Sequence, residues 1–216
     1  MKKFLENYWT IKLNEVKENL EANNFEVFLV NNVEEAREVV LQKIWPAITP
    51  VSVSWGGSRT FKQTGLYDEL KKMDLKVIDT YVPGLSKDEA MELRRKSLFV
   101  DLYVTGTNAI TENGALVNLD MIGNRVGAIT FGPKFVLVLA GRNKIVPDFE
   151  AAVTRIKEYA APANAMRLDK KTPCTKTSSC HNCESPDRIC NVWTITEKSF
   201  PKGRIKIVLI NEDLGI

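Results

Sequence analysis

The chain has 216 residues, 44% of them hydrophobic and 26% charged, a balance within the range of globular proteins at a length that buries a full core as one domain, residues 1–216. Thirty Lys and Arg against twenty-seven Asp and Glu leave only +3, too little to make nucleic acid or an anionic membrane the expected partner. No stretch reaches the roughly 20 apolar residues of a membrane-spanning helix, and Glu6, Asn7 and Lys12 interrupt the start where a signal peptide needs an apolar run, so a cytoplasmic protein is expected.

Leu5, Trp9, Leu13, Val16 and Leu20 recur at steps of four or three and predict a helix of about five turns, an N-terminal docking helix within residues 1–22. Phe25 to Val30 reads as a strand. Asn32 and Glu35 open a helix carrying Val33, Ala36, Val39, Val40 and Ile44, which Pro46 is expected to stop. VSVSW at 51–55 is a strand running into Gly56-Gly57-Ser58-Arg59-Thr60 and a helix through Lys72. A strand at Lys76 to Asp79, a helix capped by Ser86 and Glu89, and a strand at Asp101 to Val104 complete an alternating order. That order implies a parallel-rich α/β sheet flanked by helices.

From Thr105 to Gly132 the sequence is dense in Gly, Asn and Thr and reads as hairpins, with no helix fitting it. Phe135 to Ala140 is a strongly apolar strand, Asp148 caps a helix that Pro162 ends, and Arg204 to Ile210 closes the order as a last strand. Open α/β sheets hold ligands at the carboxyl ends of their strands. Three such ends carry polar or basic residues: Gly56, Gly57, Ser58 and Thr60; then Thr105, Gly106, Asn108, Gly114, Asn118, Asn124 and Arg125; then Asn143 and Lys144. These are the candidate substrate-binding residues. The glycines let backbone approach an anion, and the cations and hydroxyls suit a small anionic organic acid or a phosphate-bearing ligand. Glu112, a carboxylate among small polar residues, is the candidate nucleophile or general base.

All four cysteines fall in seventeen positions, as Cys174-x5-Cys180-x2-Cys183-x6-Cys190. Ile189 is the only large apolar residue beside them, so core packing does not account for them, and residues 172–192 read as a metal-binding segment. Thiolates gathered within a few Å need a compensating cation. An iron–sulfur cluster, of the [4Fe–4S] type, is the first reading; zinc is the alternative, and redox thiols the third. His181, the one histidine, lies between two of the cysteines and is read as a solvent-facing loop residue or a hydrogen-bond donor to the centre, with ligation the alternative. Asn164 to Lys206 holds nine Lys or Arg against four Asp or Glu, so the basic excess surrounds the thiols.

Taken together, GGSRT, DLYVTGTNAITENGALVNLDMIGNRVGAITFGP, VLAGRNKIV, APANAMRL and the spaced cysteines resemble the LUD-domain family, lactate-utilisation proteins of the LutC and YkgG type. The resemblance implies a domain similar to the NagB, ribose-phosphate isomerase and CoA-transferase fold with a crevice at strand ends. It also implies a component of small organic-acid, lactate-type oxidation or electron transfer, working with redox partner subunits or as a homo-oligomer. The alternative is a non-redox isomerase or CoA-transferase-like enzyme, or an anion-binding domain, with a structural zinc. The chain lacks the ferredoxin C-x2-C-x2-C-x3-C-P run, and reads as a stand-alone cysteine-bearing member.

Overall fold

The computed structural model describes residues 2–216; Met1, the first residue of the expected docking helix, lies outside them. In chain order the elements are α1 (Lys2–Ala22), β1 (Glu26–Val30), α2 (Val33–Val39), α3 (Trp45–Ile48), β2 (Ser52–Trp55), α4 (Arg59–Gln63), α5 (Leu66–Lys72), β3 (Lys76–Ile78) and α6 (Lys87–Lys96). They continue with β4 (Leu102–Thr105), β5 (Ala109–Thr111), β6 (Leu116–Asp120), α7 (Asn124–Thr130), β7 (Phe135–Gly141), β8 (Ile145–Val146), α8 (Phe149–Arg155), α9 (Ala161–Arg167), α10 (Cys174–Thr177), β9 (Val192–Thr196) and β10 (Ile205–Ile210). No helix among the described residues is long and apolar enough to cross a membrane.

Six strands form one sheet in the order β1-β10-β7-β4-β2-β3, every neighbour parallel. Its central strands are apolar on both faces because both faces are covered. Leu137, Leu139, Val208 and Ile210 pack with Val53, Trp55, Phe61, Leu66 and Leu70 under α2, α4 and α5. Val136, Val138, Ala140, Ile207 and Leu209 pack on the other face with Leu13, Val16 and Leu20 of α1 and with Ile110 and Leu116 of a second, four-stranded sheet, β8-β5-β6-β9. The far side of that second sheet is covered by Ala152 and Ile156.

The expected parallel-rich α/β order is what the chain adopts, with four local differences. The helices do not stop at Pro46 and Pro162. A proline lacks the N–H that would reach residue i−4, and its ring presses on that carbonyl. Here the turn before each proline widens, so that Trp45 N–H bonds Val40 O and Ala161 N–H bonds Ile156 O, and each helix runs on through its proline. The helix expected through Lys72 breaks at Gly65, whose φ of +74° suits a residue without a side chain. The stretch read as free of helix contains α7, which buries Val126, Ala128 and Ile129. Finally, the apolar stripe on α1 is buried only from Leu13 onward: Leu5 is exposed and Trp9 lies at the margin.

The β5–β6 hairpin forms as expected, turning at Asn113-Gly114. Gly114 has φ +84°, and a Cβ there would stand 2.7 Å from the backbone of Asn19 in α1. Gly114→Ala is therefore expected to cost roughly 2–4 kcal/mol, combining left-handed strain with a clash against a helix backbone that cannot yield. Urea denaturation checks this, and an unchanged midpoint would show that α1 is not seated on this turn.

Candidate functional site

The chain leaves β2 toward β3 on one side and leaves β4 toward β7 on the other, so the sheet order reverses between β2 and β4. A crevice opens at the carboxyl ends flanking such a switch point, because the two connections go to opposite faces. Gly56–Ser58 and Thr105–Asn108 are those two ends. Gly56 N–H continues the ladder to Val104 O at 3.0 Å, and a Cβ on Gly56 would meet the Tyr103 hydroxyl at 2.6 Å. Glycine is needed there for close approach. Gly57 faces open space, and Gly106 leaves room for the Ser58 hydroxyl, which a Cβ would meet at 2.8 Å.

Ser58 caps α4, its Oγ accepting from Phe61 N–H at 3.1 Å. Its own N–H donates to the Tyr81 hydroxyl (3.2 Å), which donates in turn to Gly56 O (2.6 Å). Two of the turn's N–H groups are thus engaged inside the protein, and the turn is braced rather than left as an open anion cradle. Burial pushes Tyr81 up to about 12, which keeps it a neutral donor. Asp79 orders the wall behind it by accepting from Trp55 Nε1 (3.1 Å), Tyr67 (2.9 Å) and Tyr81 N–H (2.8 Å). Tyr81 and Asp79 were missed in the sequence, although they follow β3 at the same edge.

Arg125, only 6% exposed, is the clamp of the neighbouring loop. Nη1 donates to Gly106 O (3.1 Å) and to Asn118 Oδ1, Nη2 to Asn108 Oδ1 (2.9 Å) and Leu119 O (3.2 Å), and Nε to Asp120 (3.3 Å). Asn108 and Asn118 are joined further, Asn108 N–H donating to Asn118 Oδ1 at 3.2 Å. These three expected ligand contacts therefore bind one another. The Tyr103 hydroxyl and the Asn118 amide nitrogen are buried beside them without a hydrogen-bond partner among the described residues, with Asn124 next to Tyr103.

Lys144 follows β7 and is 4% exposed. Among the described residues its one hydrogen bond goes to Thr60 Oγ1, at 3.2 Å. Burial first, then the positive charges of Arg155 and Arg125, bring its pKa down to about 7. Arg155 on α8, which carries no sequence signal, joins two of the strand ends by donating from Nη1 to Asn108 O (2.7 Å) and from Nε to Asn143 O (3.1 Å). Asn143 itself holds residues beyond β10, its Oδ1 accepting from Leu214 N–H at 3.0 Å. Thr105 is buried at the end of β4.

Glu112 and Gly114 are not gathered with this group. Lys144 precedes the Ile145↔Ile110 pairing, whereas Glu112 lies past the end of β5. The Glu112 carboxylate accepts from Lys12 Nζ at 2.8 Å, and Asn19 donates to Glu112 O at 2.8 Å. The residue is anchored to α1. Glu112→Gln is expected to cost about 1 kcal/mol or less, the value of a partly exposed ion pair. Thermal melts check this.

The cysteine segment follows α9. Arg188 organises it, donating to Cys183 O (2.9 Å) and Cys190 O (3.0 Å), while Cys180 N–H donates to Glu158 at 3.3 Å. Asn182 N–H points at Cys180 Sγ (3.4 Å). All four thiols are unpaired and partly exposed, and Cys190 packs against the far side of the second sheet. His181 Nε2 meets Thr177 Oγ1 at 2.7 Å. Among the described residues, no three Cys, His, Asp or Glu side chains converge closely enough for a metal ion. The donor chemistry fits a metal, but binding would have to draw the thiols together.

These features define an open parallel α/β protein with two buried cations, Arg125 and Lys144, at its switch point. The chain belongs to the LUD domain family, whose pattern matches residues 13–210. A DUF162 family protein from Deinococcus radiodurans has a similar structure at a TM-score of 0.54 and 12% identity, over 94% of this chain and 98% of that one. A ribose 5-phosphate isomerase from Plasmodium falciparum overlaps 53% of this chain and 54% of its own, at 15% identity and a TM-score of 0.29. A D-ribose-5-phosphate isomerase in complex with phospho-erythronic acid overlaps 53% of this chain and 55% of its own, at 19% identity and a TM-score of 0.32. No curated protein matches the chain.

Proposed function

We propose that this LUD-domain protein binds a small organic anion of the lactate type at the buried pair Lys144 and Thr60. In the same reading Cys174, Cys180, Cys183 and Cys190 hold an iron–sulfur centre, making the protein a component of organic-acid oxidation or electron transfer. The observation that carries the ligand is the charge on Lys144. A buried ammonium beside two arginines, with a hydroxyl as its one hydrogen-bond partner, is costly until an anion enters. A carboxylate accepts from the ammonium and from Thr60, and raises the lysine's proton affinity in doing so. Because that anion binds the protonated lysine, calorimetric titration with L-lactate, propionate and inorganic phosphate is expected to give tighter binding at about pH 6 than at about pH 9. Failure of every anion to bind at either pH would remove this reading.

The thiol segment supports the second part through its four cysteines, its basic surroundings and the N–H bond to Cys180 Sγ. A cluster bound there supplies one-electron transfer. Arg188 fixes the backbone at two of its ligands, and Glu158 on the turn after α8 holds a third. Anaerobic purification followed by iron, sulfide and zinc analysis is expected to find iron and sulfide, with each Cys→Ser change lowering both. A colourless protein with one zinc would replace electron transfer by a structural role for the metal.

A further inference from the structure

Lys144 has features beyond a charge. Among the described residues Thr60 Oγ1 is the one hydrogen-bond partner of its Nζ, and with a pKa of about 7 much of the side chain is free amine at neutral pH. A free amine in a dry site is a nucleophile. Above it lie the residues beyond β10. Arg142 N–H donates to Glu212 O (3.0 Å) and its Nε to Asp213 (3.0 Å), Leu214 N–H to Asn143 Oδ1 (3.0 Å) and Gly215 N–H to Gln63 Oε1 (2.8 Å). Gly215, at φ +71°, lies close over the site: a Cβ there would stand 2.7 Å from Thr60 Oγ1 and 3.3 Å from Lys144 Nζ. The strap that covers the amine is therefore backbone. Arg142 and Gln63 can exchange their bonds to it for water as it lifts, while Leu214, buried against the core, leaves its apolar contacts.

We propose that Lys144 is a covalent nucleophile that forms an imine with the carbonyl carbon of a small 2-oxo acid admitted beneath this strap. The inference rests on the anion-binding reading and names its substrate class. An amine of this kind needs a carbonyl carbon, and the cationic surroundings provided by Arg155 and Arg125 need an anionic substituent beside it. A carboxylate on the adjacent carbon is the smallest group that meets both needs. In the step, nitrogen adds to the carbonyl carbon, a C–N bond replaces the C–O bond, and the carbonyl oxygen leaves as water with two protons from nitrogen. Neither oxidant nor reductant is consumed. Thr60, hydrogen-bonded to Nζ, stands where a proton can pass between nitrogen and departing oxygen. One further proton, taken up from solvent, protonates the imine and places a positive charge beside the substrate carboxylate.

The test is reductive trapping. The full-length protein is incubated with pyruvate, oxaloacetate or 2-oxoglutarate, treated with borohydride, and read by intact and peptide mass. One adduct is expected, on the peptide containing Lys144, suppressed by excess propionate, which has the carboxylate and no carbonyl. Lys144→Arg is expected to lose the adduct; peptide mapping of the unaltered protein gives the answer independently if that variant does not fold. Adducts spread over surface lysines, or none with any of the three acids while propionate still binds, would overturn the imine and leave the anion site standing. Loss of propionate binding as well would overturn both.

Discussion

Lys144→Met is expected to make the protein more stable and to abolish its response to anions. Methionine fills much the same volume without an amine to desolvate, and the Thr60 hydroxyl loses a single hydrogen bond. The sign follows from linkage. Folding lowers the Lys144 pKa from 10.5 to about 7. Below about pH 7 both states hold the proton, and the full cost of a buried ammonium is present. As pH rises from about 7 to 10.5 the folded state releases its proton first, the unfolded state binds more, and stability climbs; above that window it levels off. The gap between Lys144→Met and the parent protein should therefore be widest near pH 6 and close toward alkaline pH. At its widest it is roughly 3 kcal/mol, allowing for relaxation around the charge, or about 6–12 °C in Tm for a chain of this length. Melting curves across pH, with and without lactate or propionate, read all of this. A variant that melts at or below the parent temperature and still responds to anions would show that Lys144 is compensated by a group other than the ligand.

The alternation of strands and helices was legible because a parallel strand covered on both faces must be apolar at nearly every position, and FVLVLA and, apart from Lys206, IKIVLI are such runs. Strand ends were legible for the same reason: once the sheet is parallel, Ser58, Thr60 and Lys144 must share one edge. What escaped was set by tertiary partners. Helix α7 lies in a stretch rich in Gly, Asn and Thr, and its Val126, Ala128 and Ile129 gain meaning only against the sheet they cover. The strand β9 has no clear alternation because it is an edge strand with Val192, Trp193 and Ile195 left partly exposed. Glu112 gave the signal of a carboxylate among glycines and threonines, which is the same whether it faces a substrate or a helix a hundred residues earlier. Pro46 and Pro162 misled because a widened turn, invisible in the sequence, accommodates each ring.

Arg125→Met is expected to have the opposite sign to Lys144→Met although the two cations lie at the same end of the sheet. Arg125 has partners for all three of its nitrogens, and its removal leaves Gly106 O, Leu119 O and the amide oxygens of Asn108 and Asn118 short of a donor and Asp120 short of its cation. Breaking a buried ion pair in this way costs about 3–5 kcal/mol. Loosening of the Gly106–Asn108 loop should accompany it, visible as faster amide exchange in β5 and β6. Arg125→Lys keeps the charge but brings three donors that cannot reach both arms of the fork, so about half of the loss should remain. The two residues are also coupled, because the Arg125 charge is one of the causes of the low Lys144 pKa. In Arg125→Met the lysine should titrate at a higher pH, and anion binding should persist further into the alkaline range even as the fold weakens. A stability within 1 kcal/mol of the parent protein in Arg125→Met, measured by urea denaturation, would mean that the clamp does not hold the loop. An unshifted pH profile for anion binding would mean that the two cations do not share one electrostatic site.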